Sequence, residues 1–350
     1  MVRSGGAWAY IGSFTSGGGQ GITVASVDPG SGALTPVSAV GGLVNPSWLT
    51  LDRAAGVLYA VGEAEAGEVA AFRARGGELT PLGRPVAVDG AGPTHLSVVG
   101  RRLLTANYGS GGVSSLPLDG DGAVGGPAVV LAHRGSGPDP ERQEAPHAHQ
   151  VLPAPGGRWV LTTDLGTDSV RVCALDADSG ELRVHGEAGL RPGSGPRHLV
   201  FHPDGTAVYV LHELVPQVTV CRWDAAAGRL EPLSEVALEG DGTDPRDVRP
   251  YPSVPAVSAD GRFLWAAVRG ANTVVTLDLE DGPEKPRLAG SVDCGGVWPR
   301  DLVPDPSGRR LYVANEWSGD VTWFEVDPVD GRPWRGGSVE VPAAACVVLA

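Results

Sequence analysis

The sequence predicts an all-β protein: a seven-bladed β-propeller, one domain over residues 1–350, closed by pairing of its C-terminal strand with its N-terminal blade. Three observations predict it. A two-strand phrase recurs along the chain, its copies lie about 50 residues apart, and the composition is rich in turn residues.

The phrase is a turn containing glycine, a strand, a polar break and a second strand. Six copies are complete: "GVLYAVGEAEAGEVAAF", "GRRLLTANYGSGGVSSL", "GRWVLTTDLGTDSVRVC", "GTAVYVLHELVPQVTVC", "GRFLWAAVRGANTVVTL" and "GRRLYVANEWSGDVTWF". A seventh, "GGAWAYIGSFTSGGGQGITVASV", opens the chain without the strand that precedes the turn elsewhere, while the C-terminal "ACVVLA" is a strand with no hairpin after it. The two fragments complete one another. The anchor glycines Gly56, Gly100, Gly157, Gly205, Gly261 and Gly308 are separated by 44, 57, 48, 56 and 47 residues, in the range of propeller blades. One such unit cannot bury both faces of its sheet, so the blades pack radially and the ring closes on itself. The segments "DPGSGAL", "DADSGEL", "DAAAGRL" and "DPVDGRP" read as outer hairpin turns, with Asp as side-chain cap and Gly for positive φ.

Composition agrees with this reading and excludes several function classes. The chain has 52 glycines and 30 prolines without a collagen period, and apolar residues make up 42%. That suits many short strands and tight turns rather than helices or disorder. A formal charge of −14 argues against nucleic acid and anionic membrane as partners, which require basic surfaces. An anionic substrate would need a local cluster of arginines. Cys173, Cys221, Cys294 and Cys346 are far apart with no C-x-x-C, so neither zinc nor a disulfide framework is expected. Cys173 and Cys221 lie in alternating apolar runs and read as small buried hydrophobes. The N-terminus lacks a long apolar stretch and no run of about 18 apolar residues occurs, so a soluble cytoplasmic protein is expected. Oligomeric state is left open.

A propeller places equivalent repeat positions around one axis, which turns the alignment of copies into a site prediction. The loops entering the inner strands read "NPSW", "GPTH", "HAHQ", "GPRH", "YPSV" and "WPRD", and put His149, Arg197 and Arg300 at one shared position. After the next strand, Glu213, Arg269 and Glu316 share a register, with Asp164, His212 and Asn315 one step earlier. Should both sets point to one mouth, the channel collects arginines, carboxylates and histidines. Asp164 and Asn315 equally suit the capping of their turns, and His198 suits blade packing. His147 and His149 form a lone His-x-His without a second ligand cluster, so no metal and no cofactor are expected.

Four segments carry a resemblance: "PHAHQVLPAPGGRWVLTTDLGTDSV", "GSGPRHLVFHPDGTAVYVLHEL", "SADGRFLWAAVRGANTVV" and "WPRDLVPDPSGRRLYVANE". In order and at blade spacing, they resemble the seven-bladed propeller lactonases, the family of propeller-type 6-phosphogluconolactonases and carboxy-cis,cis-muconate cyclases. The resemblance implies a catalytic set of a histidine from "PHAH", Arg197, Glu213 and Arg269. His147 fits the motif and His149 fits the blade register. Arg300, Asp164, His198, Asn315 and Glu316 are the expected substrate-binding residues. The chain departs from the family in having Val268 before Arg269, where Asn is common.

Opening a sugar lactone requires an activated water on one side of the carbonyl and stabilisation of the oxyanion on the other. His147, His149 or Glu213 would supply the base, and Arg197 and Arg269 the cationic donors, with Arg300 assisting. The expected substrate is a small, anionic sugar lactone, foremost 6-phosphoglucono-1,5-lactone. A muconate-type cycloisomerase, a lactonase for another lactone, or a non-catalytic propeller serving as a protein platform are the rival readings.

Overall fold

The computed structural model describes residues 7–238 and 249–350; the first two glycines of the opening repeat copy, at 5 and 6, lie outside them. These residues form seven antiparallel sheets, the blades of a propeller. The first sheet is built from both ends of the chain, with Ala344–Leu349 innermost, followed by Ala7–Ser13, Ile22–Val27 and Leu34–Val40. The closing pair is antiparallel, with Tyr10 opposite Val348 and Ile11 opposite Val347. The expected closure is therefore present.

One apolar cluster fills each interface between neighbouring blades. Tyr209 and Leu264 meet between the fifth and sixth blades, and Ile11, Tyr312 and Val347 meet between the seventh and first. The strands alternate because each sheet face serves a different interface, so nearly every inner-strand residue is buried. The four cysteines are free and lie in such clusters. Burial pushes the thiols of Cys173, Cys221 and Cys294 up to about 12, which makes them packing residues and not nucleophiles.

The outer turns seal one blade to the next. Asp28, Asp176 and Asp224 each accept two backbone N–H groups of their own turn. Gly331 adopts φ 72°, and a Cβ there would stand 2.4 Å from Cδ1 of Phe263 in the preceding blade. The approach lets Trp265 donate its indole N–H to the carbonyl of Gly331 at 2.8 Å. The same inter-blade contact recurs where Tyr59 reaches Gly122, Tyr209 reaches Pro283 and Tyr312 reaches Gly32. No helix among the described residues is long and apolar enough to cross a membrane.

Candidate active site

The innermost strands do not pair regularly at the end where the chain enters them. Pro196 faces His212 and His198 faces Leu211, which leaves Arg197 as the extra residue of a β-bulge. His149 is the extra residue in the fourth blade, Arg300 in the seventh and Thr94 in the third. A bulge re-aims a side chain that regular pleating would send into a blade interface. Here all four bulged residues line one cavity of about 220 Å³. Glu213, from the turn after the next strand of the fifth blade, and Arg269, at the end of the equivalent strand of the sixth, join its wall.

Glu213 is the electrostatic centre. Its Oε2 lies 2.9 Å from Nη2 of Arg269 and 3.0 Å from Nε of Arg197, and its Oε1 accepts a hydrogen bond from Arg142. Burial alone would push its carboxyl up; the guanidinium groups of Arg269 and Arg197 outweigh that and hold it well below the usual carboxylate range. Glu213 is thus an ionised organiser of arginines and a poor proton acceptor. Arg269 also donates to the carbonyls of Tyr251 and Pro252 at 3.0 and 3.1 Å, and its guanidinium lies over the Trp298 ring. Arg197 donates to the carbonyl of Ser253. Burial first, then the neighbouring Arg269, lowers the pKa of Arg197. A guanidinium paired with Glu213 nevertheless keeps its charge at neutral pH.

His149 is buried on the same wall, with Nε2 4.0 Å from Oε2 of Glu213 and no hydrogen-bond partner at Nδ1 among the described residues. Its main-chain carbonyl accepts the Thr94 hydroxyl at 3.0 Å. Burial and the charge of Arg197 drive its pKa well below 6.5, so the imidazole is neutral and keeps a ring nitrogen lone pair at neutral pH, at the cost of lower basicity. His147 does not reach the cavity. It stacks on Tyr108 with ring centroids 4.4 Å apart and bonds the Tyr108 carbonyl and Glu144.

The remaining expected residues fall into two groups. Arg300 lines the cavity and pairs with Glu316 at 3.2 Å, and with Glu63 at 3.9 Å. His198 sits beneath His149, its ring 5.2 Å away, and packs against His95 and Trp48. Of the expected substrate-binding residues only Arg300 lines the cavity; His198 lies behind His149, Glu316 reaches it only through Arg300, and Asp164 and Asn315 do not line it. Asp164 is fully buried and ties His133, Arg171 and the His147 N–H, while Asn315 donates to Thr322 at 3.1 Å. Both lie one step before the register that reaches the mouth, which turns them into their own blades.

Four lining residues were not among those expected: Glu63, Thr94, Tyr108 and Arg142. The first three occupy the same repeat positions as Glu213 and Arg197, so reading the second and third blades in register would have found them. Arg142 comes from the long loop before the fourth blade, where no repeat position exists. Among the described residues no three His, Cys, Asp or Glu side chains converge as a metal site needs. At the other end of the innermost strands a wider hollow of about 670 Å³ is lined by Arg53, Val257, Val303 and Leu349, without such a cluster.

These features define a propeller with a charged cavity at one channel mouth, where four guanidiniums face two carboxylates around a neutral imidazole. The chain belongs to the lactonase family of seven-bladed β-propellers, whose model matches residues 8–349, and it is accordingly a hydrolase of cyclic esters. A 6-phosphogluconolactonase of Bacillus subtilis is 34% identical over 345 residues, covering 97% of both chains. A 6-phosphogluconolactonase of Formosa agariphila is 28% identical, covering 92% of this chain and 93% of that protein. The solved structure of a periplasmic gluconolactonase from Pseudomonas aeruginosa superposes with a TM-score of 0.91 at 30% identity, covering 98% of this chain and 99% of that one.

Proposed function

We propose that the protein hydrolyses 6-phosphoglucono-1,5-lactone to 6-phosphogluconate, the whole chain acting as one propeller domain. The carrying observation is the excess of guanidinium over carboxylate around His149 in a chain of formal charge −14. A positive focus on an acidic body selects an anionic substrate, and planar guanidiniums suit both a phosphate and a developing oxyanion.

In this reading the neutral imidazole of His149 takes a proton from water as the water oxygen bonds to the lactone carbonyl. Arg197 and Arg269 donate to the resulting oxyanion through the guanidinium N–H groups not committed to Glu213 and the loop carbonyls. Collapse of the tetrahedral species breaks the ring C–O bond, and the imidazolium returns its proton to the departing ring oxygen. Glu213 holds the two arginines in place and stays ionised throughout. Lactones are reactive esters, so acid–base help of about 10²–10⁴-fold, without a covalent intermediate, is enough.

The proposed compartment is the cytoplasm, supported by four free, buried thiols. Fractionation of the producing cells tests this, and recovery in a periplasmic extract refutes it.

The function is tested by acid release from freshly generated 6-phosphoglucono-1,5-lactone, corrected for spontaneous hydrolysis, with glucono-1,5-lactone alongside. Rapid release from the phosphorylated lactone is the expected result. Faster turnover of the neutral lactone would assign the enzyme to unphosphorylated sugars, and inertness toward both would turn attention to muconates.

A further inference from the structure

The four arginines of the mouth form a gradient of depth. Side-chain exposure rises from 4% at Arg197 and 6% at Arg269 to 18% at Arg300 and 33% at Arg142. Their charge balance differs as well. Arg300 faces two carboxylates, Glu316 and Glu63. Arg142, Arg197 and Arg269 share one, Glu213. The surplus of positive charge therefore lies on the Glu213 side.

Of the three, Arg197 and Arg269 also donate to main-chain carbonyls. The Arg142 side chain makes its contacts among the described residues through Nη2 alone, to Glu213 and to the Tyr108 hydroxyl at 3.3 Å. Its Nε and Nη1 remain for a ligand. The Tyr108 hydroxyl accepts from Arg142, so its own proton is available to a second acceptor.

The position of Arg142 is built into the fold. Its neighbour Gln143 is fully buried, donates to the Leu165 carbonyl at 2.8 Å and accepts from the Asp139 N–H at 3.1 Å. Asp164 ties both ends of the loop, through the His133 ring at 2.7 Å and the His147 N–H at 2.8 Å. Gly166 allows the loop to close, since a Cβ there would stand 1.9 Å from the Ala145 carbonyl oxygen. A surface arginine pays its own ordering entropy on binding; this one is held at the lip beforehand.

We propose that Arg142 and the Tyr108 hydroxyl form a distal anion subsite at the lip of the cavity, which receives the phosphomonoester of the substrate while the lactone carbonyl lies below at His149 and Arg197. The subsite rests on the lactonase reading for its substrate and makes Arg142 the specificity-determining residue.

The test compares the parent with Arg142→Met on 6-phosphoglucono-1,5-lactone and glucono-1,5-lactone. The subsite predicts that the ratio of kcat/KM for phosphorylated over neutral lactone falls about 10- to 100-fold, mostly through KM, as expected for loss of a charge-assisted phosphate contact. An equal fall on both lactones overturns it, because Arg142 would then act only through Glu213. If the parent turns over neither lactone, the substrate reading fails, and calorimetric binding of 6-phosphogluconate judges the subsite by itself. Binding at least tenfold weaker in Arg142→Met supports it, and unchanged or absent binding by the parent overturns it. Should the Met variant fail to fold, Arg142→Gln replaces it in the same measurements.

Discussion

Nε of Arg197 lies 3.0 Å from Oε2 of Glu213, at ion-pair distance but without hydrogen-bond alignment. Arg197 lies on the innermost strand of the fifth blade and Glu213 in the turn after the next strand, and they meet because a bulge releases Arg197 from the pleat. The pair is buried, so each member depends on the other far more than a surface pair would.

Glu213→Gln removes the carboxylate that Arg142, Arg197 and Arg269 share. Arg197 and Arg269 then stay buried beside a neutral amide, which costs about 3–5 kcal/mol of stability. Turnover falls on the order of 10²-fold as the donors lose their alignment. Urea unfolding and acid release measure the two effects, and a stable, fully active variant would remove Glu213 from the centre of the site.

Arg197→Ala and Arg269→Ala each leave Glu213 with two guanidiniums, so the fold persists. The expected loss is in kcat, about 10²–10³-fold, because the missing donor acts on the oxyanion more than on the ground state. Circular dichroism with steady-state kinetics checks both halves. Parent-like rates in both variants would place the chemistry elsewhere.

Two pH profiles follow from the buried imidazoles. His149 has its pKa well below 6.5, so the basic form persists at neutral pH, and kcat/KM for glucono-1,5-lactone, which lacks the phosphate whose second pKa is about 6, stays level from pH 8 to pH 6. A break near 6.5 would argue against His149 as base. Stability behaves differently, because His95, His149, His198 and His212 all have lowered folded values, mainly by burial, while the unfolded chain protonates near 6.5. As pH falls below 6.5 the unfolded state binds more protons, and each histidine removes about 1.4 kcal/mol per pH unit. Asp301, pushed up to about 6 by burial, has the opposite sign and offsets one histidine between pH 6 and its ordinary 3.8. Urea midpoints at pH 7.5, 6.5 and 5.5 should therefore drop steeply in the last step; a flat series would contradict the burial of these rings.

Asp164→Ala frees both ends of the loop that carries Arg142 and strands Arg171, whose remaining carboxylate is the half-exposed Glu187 at 3.3 Å. The expected outcome is a stability loss of about 3–5 kcal/mol and new protease cleavage between residues 133 and 147. Limited proteolysis followed by mass mapping reads it directly, and an unchanged digestion pattern would show that Gln143 alone holds the loop.

Much of the site was legible because a propeller converts sequence register into position. His149, Arg197 and Arg300 share one repeat position, and the structure brings all three to the cavity. The choice between His147 and His149 was not legible, since the motif pointed to one and the register to the other. His149 is the bulged residue of the strand and lines the cavity, whereas His147 precedes the strand and is held on Tyr108. Asp164 and Asn315 stood one residue off the lining register, and in a pleated chain one residue is the difference between two faces.

By itself the sequence determined the ring: the recurring strands, the capped turns and the split first blade leave no other arrangement that buries every sheet face. Its repeat register also singled out Arg197, Glu213, Arg269 and Arg300, of the fifth, sixth and seventh blades, as charge at the mouth. Tertiary structure decided the rest. The bulges that turn Arg197 and His149 into the channel, the sharing of Glu213 by three arginines, and the delivery of Arg142 by a loop outside the repeat all depend on contacts between distant segments. Local propensity and periodicity describe a residue's own strand, whereas the protonation and orientation of a buried charge are set by whichever groups the closed ring places against it.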